Sequence, residues 1–524
     1  MRRLIAFLSI LTLLLISYLP ALTHQYVYHD ATVFFYRPSH MLYNHQFHGM
    51  NFFDGRLLGA YVLTFWGWLI DSVSDLKFVR FFNILIISIC AYILHYQLKR
   101  HVARATAFGI TIAMFTLPPF QTICSMSSMS ALPASLLLAT VAAAIIDSAP
   151  AQNRLLLRLF HVRTLLSSLT LLCAFMTYQA TGTFFWVFAA SVYIFSSSED
   201  PSKKHKLIHY YTVGFISLFL YYGYLKILKT FITFPVNNLY DPYMMEMNYL
   251  SKLLWFIKEP LANALNLYWL DHRLMVIAAS SLFCLSFFVI PIFQSKNMAA
   301  VLKPLSEKAL VVSSLLILGF LPNLVSVTRA PYYRCSAGLF AIILLLIVRG
   351  FYQALLFFPK NLREKIFLSG LTLLCLTGIF TAHDNILKYR IIRSEKELAL
   401  MINSMQKAVD QNIAEIYIQR PSFTSIWQKY DEFGAITSMF DGDIYPYIIC
   451  ALREVEAKRD KNNIYWGYKI DEPHGKLKAG FVNLEKATFK EYEFTVSANR
   501  DNQKAPFELP NTVMIDTMPM VASF

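Results

Sequence analysis

Asp30 is the residue placed best for chemistry. It follows the first apolar run, Leu4 to Leu22, by about eight residues, and aromatic residues surround it: Tyr26, Tyr28, Phe34, Phe35 and Tyr36. A carboxylate held against such a wall pays for ionisation, so its pKa rises toward the range of a general base. The bland alternatives are a solvated loop acid or a partner for Arg37. Asp54 closes the same loop in Phe53-Asp54-Gly55-Arg56, where the glycine permits a tight turn and Arg56 opens the next helix. A turn followed by an arginine reaching for water would read the same way. Arg329 and Arg334 flank Pro331-Tyr332-Tyr333. A guanidinium is a planar fork that matches phosphate oxygens, so this pair suits a phosphate carried by a lipid; a headgroup anchor is the simpler reading. Lys226 and Lys229 offer the same choice between phosphate binding and snorkelling. Gln179 is a polar residue at a turn between apolar runs, with turn capping as its plainer role.

Five of the 13 histidines (His24, His29, His40, His45 and His48) fall in or beside the first loop. Three of them have ligand-like spacing, but no cysteine joins them and the segment lacks a helical pattern, so no metal and no cofactor is expected. No phosphate-cradling glycine loop, dinucleotide fingerprint or metalloprotease motif occurs.

These residues are positioned by membrane spans. A chain that is 56% hydrophobic and 15% charged, with mean hydropathy +0.44, is not a soluble globule. Apolar runs at about 79–97, 106–122, 131–147, 164–177, 181–196, 208–231, 274–293, 308–325, 336–350 and 365–382 approach the ~20 residues a spanning helix needs. The loops between them are of two kinds. Short basic ones lie at 98–104, 154–163, 202–206, 296–308 and 360–365. The others hold the residues above, with Tyr178-Gln179 and Asp271-His272-Arg273. Because positive loops stay cytoplasmic, the second set faces outward. The stretch 164–196 is basic at both ends, so it crosses twice, turning near Tyr178. Leu57 to Ile70 is short and is read as interfacial or re-entrant. The expectation is an α-helical polytopic membrane protein of about eleven transmembrane helices, with the N-terminus cytoplasmic and the C-terminus exported.

The net charge of +14 does not point to nucleic acid. Residues 383–524 carry 18 Lys and Arg against 20 Asp and Glu, so the whole excess lies in residues 1–382, mostly in short loops where it sets topology. The seven cysteines are scattered without a CxxC pair, and the tail holds only Cys450. After Ala382 the composition changes. The pattern predicts an amphipathic helix over 394–409 and strands over 413–418, 444–449, 464–470 and 492–496, that is, a small exported α/β or α+β domain at 383–524.

Cytoplasmic loops this short cannot hold a nucleotide domain, so energy for a step on the outer face must arrive on a membrane-borne donor. The layout resembles the multispanning GT-C glycosyltransferases, and more narrowly the bacterial serotype-converting O-antigen glucosyltransferases. The resemblance rests on Asp30 after the first span within the exported loop 23–56, Gly55-Arg56 leading into an aromatic segment, Leu117-Pro118-Pro119-Phe120-Gln121 closing a span, Tyr178-Gln179 at a hairpin turn, and Arg329 with Arg334. It covers residues 1–382. Where that class often pairs two acids in the first loop, this chain departs from the pattern with His29 before Asp30, and Asp54 is the substitute candidate. The resemblance implies transfer of a sugar such as glucose from a polyprenyl-phosphate donor to a surface glycan such as O-antigen or lipopolysaccharide, on the periplasmic face of a bacterial inner membrane. Asp30 or Asp54 would be the base. Arg329, Arg334, Lys226 and Lys229 would hold the donor phosphate, and Arg56, Gln179 and His29 would bind substrate. The partners are the donor, the acceptor and membrane lipids. The rival readings are a lipid-linked-glycan flippase or transporter, against which charge is nearly absent from the middle of the spans, and an O-antigen polymerase or acyltransferase.

Overall fold

The computed structural model describes residues 2–27, 55–148, 161–196, 202–231, 248–268, 273–293, 298–326, 329, 332–419, 444–460, 463–471, 476–483, 486, 488–499 and 512–516. Asp30, His29, Asp54, His40, His45 and His48 lie outside the described residues.

The chain is mostly helical. In order, the principal helices are α1 (Arg2–Ser17), α2 (Leu57–Leu69), α3 (Leu76–Leu98), α4 (Arg104–Phe115), α5 (Pro118–Ser125), α6 (Ala131–Asp147), α7 (Val162–Thr177), α8 (Phe185–Phe195), α9 (Ser202–Phe231), α10 (Tyr249–Phe256), α11 (Arg273–Phe293), α12 (Met298–Leu318), α13 (Ala337–Ala354), α14 (Lys360–Ile386), α15 (Ile392–Asp410) and α16 (Ile444–Arg459). Among the described residues six helices are long and apolar enough to cross a membrane, or seven if the bent pair α4 and α5 is one span.

The expectation of about eleven transmembrane helices is therefore not met. Several of the apolar runs fold into pieces too short to pass. The run 106–122 bends by 62° at Pro118, because proline there lacks the N–H that would continue the helix. The run 181–196 is split into Gln179–Gly182 and Phe185–Phe195, and α7 has only 16 residues. Helix α2, outside the eleven expected spans, has 13 residues and is ~20 Å long, shorter than the ~30 Å hydrocarbon core.

Close approach of small residues sets the packing. A Cβ on Gly350 of α13 would lie 1.8 Å from the Phe283 carbonyl oxygen of α11, and one on Gly59 of α2 would lie 2.4 Å from that of Thr177. Among the described residues, the basic segment 98–104 gathers with Arg163 and the N-terminus at one end of the bundle. Arg100 pairs with Asp147, Arg163 donates to the Ser148 carbonyl, Arg104 Nη2 donates to the Arg2 carbonyl at 3.3 Å, and Ser196 Oγ meets His101 Nδ1 at 3.1 Å. The tail packs at the far end of α3. Arg453 Nη2 donates to the Asp71 carbonyl at 2.6 Å, and the Val73 N–H donates to Glu454 Oε1 at 2.8 Å. The 23 residues of α3 separate the two ends by ~34 Å.

In the tail, β1 (Glu415–Gln419), β2 (Asn463–Asp471), β3 (Lys476–Asn483), β4 (Thr488–Asn499) and β5 (Thr512–Asp516) form a sheet in the order β2-β3-β4-β1-β5. Strand β1 runs parallel to β4 and β5, while β2, β3 and β4 pair antiparallel. The strand expected over 444–449 is instead the start of α16. Its β-branched and aromatic composition suggested a strand, but Tyr447 to Leu452 are all buried, without the alternation of a half-buried strand, and Pro446 sits in the first turn of the helix, where it is tolerated. The tail's core is shared with the bundle. Met401, Met405, Ile416, Ile448 and Leu452 pack in one cluster with Val27, Leu63, Ile70, Val73 and Val79.

Candidate functional site

Gly55 begins the site. Its φ is +70°, and a Cβ there would meet Leu225 Cδ2 at 2.4 Å and Tyr221 Oη at 2.7 Å. Only glycine takes this conformation in this space without strain. The turn delivers Arg56 to the N-terminus of α2. Tyr178 occupies the break between α7 and the short helix Gln179–Gly182, with an extended backbone (φ −162°, ψ 111°) that turns its ring toward Arg56.

The Arg56 guanidinium lies 4.3 Å from the centre of the Tyr178 ring, and its Nε donates to Gln179 Oε1 at 3.0 Å. Gln179 Nε2 in turn donates to Tyr221 Oη at 2.5 Å. The Tyr178 hydroxyl meets Cys335 Sγ at 3.7 Å, and the Cys335 carbonyl accepts from Asn323 Nδ2 at 2.9 Å. Arg334 lies 4.8 Å from the Tyr332 ring and is close enough to act electrostatically on Tyr178. Burial raises the Tyr178 phenol above its ordinary value, and Cys335 adds to this while Arg56 and Arg334 oppose it. Tyr178 thus keeps its proton near neutral pH and serves as a platform for the Arg56 guanidinium.

Arg56 and Gln179, singled out separately in the sequence, therefore meet beside Tyr178, and Arg334 immediately precedes the Cys335 whose thiol meets the Tyr178 hydroxyl. The other candidates are placed differently. Arg329 Nη2 donates to Ser251 Oγ of α10 at 2.8 Å. Lys226 is exposed on α9, 5.4 Å from the Tyr222 ring, one residue beyond the Leu225 that borders Gly55. Lys229 lies on the same helix. Gln121 is fully buried; it donates to the Thr116 carbonyl at 2.8 Å and accepts from Asn385 Nδ2 at 3.1 Å, so it closes the α4–α5 bend.

Three buried cations escaped the sequence reading. Arg80, 1% exposed, lies 3.6 Å from the Tyr26 ring and donates to the carbonyls of Ala21, His24 and Tyr26 and to Ser127 Oγ. It closes the last turns after the first helix, where the described chain leads into the first loop. Arg390, fully buried, donates to Thr122 Oγ1 at 3.1 Å. Lys252, 2% exposed, donates to the Ser326 carbonyl at 2.6 Å and so ties α10 to the segment before Arg329. For Arg80 the available signal was an arginine near the start of an apolar run, which is rare without a role. No group of three or more metal-ligating side chains forms among the described residues.

No protein-family model, no curated protein and no solved structure matches the chain.

Proposed function

We propose that this chain is a membrane glycosyltransferase that moves a sugar from a polyprenyl-phosphate donor to a surface glycan, such as O-antigen, on the periplasmic face of a bacterial inner membrane. The observation that supports the reading is the Arg56 guanidinium held over Tyr178 by Gln179, with Arg334 beside the Cys335 that meets the Tyr178 hydroxyl. A guanidinium over a neutral aromatic platform suits an anion that gains charge during reaction, as a leaving phosphate does. The basic end of the bundle faces the cytoplasm, and the tail, at the other end, is periplasmic and binds the acceptor.

In the proposed step, Asp30 takes the proton from an acceptor hydroxyl, whose oxygen bonds to the anomeric carbon. The bond from that carbon to the phosphate oxygen breaks, and the lipid phosphate leaves as an anion that needs stabilising rather than protonating. Asp54 is the alternative base. Arg329, Lys226 and Lys229 add positive charge on the donor side, and His29 contacts substrate.

The experiment is transfer of labelled sugar from polyprenyl-phosphate donor to lipopolysaccharide by the full chain in membranes. Asp30→Asn should lower the rate by ~10²–10⁴, as loss of a general base does. A dead Asp54→Asn beside a normal Asp30→Asn would move the base to Asp54. Normal transfer by both variants would end the mechanism. A chain that moves the lipid-linked sugar across the bilayer without transferring it would be the flippase instead.

A further inference from the structure

The tail meets the root of the first loop at two points. His24 caps the short helix Leu19–Thr23, and its backbone is held on both sides. Its N–H donates to the Pro20 carbonyl at 3.3 Å, and its carbonyl accepts from Arg80 Nη1 at 3.3 Å. The side chain reaches the tail: His24 Nδ1 lies 3.0 Å from Glu395 Oε1, across 371 positions of chain. Three residues on, Val27 is fully buried in the cluster that also holds Leu398, Met401 and Ile416. Glu395 and Leu398 are likewise three apart, so they share one face of α15. That face presents an acid to His24 and an apolar side chain to the cluster enclosing Val27.

The two contacts differ in kind. The apolar one does not titrate. The other joins a carboxylate to histidine, the side chain that ordinarily changes charge between about pH 5 and 8. Protonated, His24 forms an ion pair with Glu395. Neutral, it keeps a hydrogen bond at most, and a bond between two charged groups is the stronger one. The side chains are 38% and 36% exposed, so solvent holds the difference to that of a surface pair. The other charges nearby come from three elements. Arg80 of α3 holds the His24 carbonyl, and Arg390 of the turn Leu387–Ile391 acts on Tyr26 together with Arg80 and Glu395. Both arginines stay charged throughout this range. Helix α14, which packs against Leu19–Thr23, ends with His383 and Asp384, and Lys388 follows. Of these, His383 is the other group whose type titrates over the same range.

We infer that Glu395 is a positioning residue: through His24 it ties the tail to the root of the first loop, and the tie tightens as His24 takes a proton. The proposed function enters only in giving the loop its meaning, since the loop carries Asp30; the tie itself does not depend on it. Under that reading, acid at the exported face steadies the root of the catalytic loop against the acceptor-binding tail.

The test is hydrogen exchange of the full chain in nanodiscs at about pH 5.5 and about pH 8. Protection at residues 24–27 is corrected for the intrinsic exchange rate, and sugar transfer is measured over the same range. Protection in the wild-type chain should fall about two- to fivefold from the lower pH to the higher. His24→Gln and Glu395→Gln should remove this dependence and sit at the wild-type level for the higher pH. His24→Lys, charged at both values, should keep the level of the lower pH throughout. Transfer in both Gln variants should lose the part of its pH profile that follows protection. Equal protection of the wild-type chain at both values would overturn the inference. So would a His24→Gln chain that keeps the dependence, which would assign it to His383. Protection that follows the expected pattern in a chain that transfers no sugar would uphold the tie and end the glycosyl-transfer reading instead.

Discussion

Arg56 donates its Nε proton to Gln179 Oε1 at 3.0 Å, joining residues 123 positions apart in the chain. The bond fixes the guanidinium over the Tyr178 ring, so the orientation of Arg56 depends on a side chain from the turn between two other helices.

Arg56→Lys should therefore cost more than loss of charge would suggest, because an ammonium keeps the charge but cannot bond Gln179 and cover the ring at once. Donor use is expected to weaken by ~1–3 kcal/mol, the size of a charge-assisted hydrogen bond. Gln179→Leu should reproduce part of this loss. The measurement is the donor dependence of sugar transfer, and unchanged kinetics in Arg56→Lys would remove Arg56 from the site.

Arg334→Ala and Arg329→Ala separate the two members of the sequence pair. Arg334 acts on Tyr178, whereas Arg329 is bonded to Ser251. Arg334→Ala is expected to weaken donor use by ~1–3 kcal/mol, and Arg329→Ala by less. An equal loss in both would place both arginines on the phosphate.

Gly55→Ala tests the turn itself. A left-handed conformation costs a residue with a Cβ ~1–2 kcal/mol, and here the Cβ would also press on Leu225 and Tyr221. The expected result is a folded but less stable chain, with Arg56 displaced and transfer reduced. Thermal unfolding in detergent, read beside activity, checks both parts.

The tail should grow less stable in alkali. Burial pushes the Cys450 thiol well above its ordinary value, with Glu454 raising it further and Arg453 opposing. The unfolded thiol titrates near ~8.5, so above that pH the unfolded chain binds fewer protons than the folded one, and stability falls as pH rises toward the folded value. Below ~8.5 the group has no effect. Cys450→Val should flatten the slope of unfolding free energy against pH between neutrality and strong alkali. An unaltered slope would mean that other groups, such as Tyr447, account for it.

Arg453→Ala tests the joint between the tail and the bundle. Arg453 is 8% exposed and holds the Asp71 carbonyl, beside the shared core. Its loss should cost ~1–3 kcal/mol and speed amide exchange in both Val73–Val79 and Tyr447–Val455. Faster exchange in the tail alone would show that the two units are not coupled.

What could be read from the sequence was whatever depends on local pattern. Apolar runs predicted where helices would form, and the charge of short loops separated the two ends; the change of composition after Ala382 falls inside the continuous helical run Lys360–Asp410. Periodicity also anticipated a helix over 394–409 and strands over 413–418, 464–470 and 492–496, which the structure shows at 392–410, 415–419, 463–471 and 488–499. What local pattern misjudged was length and continuity: whether a run of apolar residues makes one straight span depends on a bend at Pro118 or a break at Tyr178. Composition also misjudged Ile444 to Ile449, since β-branched residues suit either state and only the packing of Tyr447, Ile448 and Leu452 into a shared core selects the helix.

The site divides in the same way. Arg56, Gln179 and Arg334 were conspicuous singly, as polar residues beside apolar runs. The meeting of Arg56 and Gln179 beside Tyr178, and the burial of Arg80, Arg390 and Lys252, are relations between segments far apart in the chain. Tertiary structure alone decides these, because the partners of a buried guanidinium are backbone carbonyls and hydroxyls that carry no mark in the sequence.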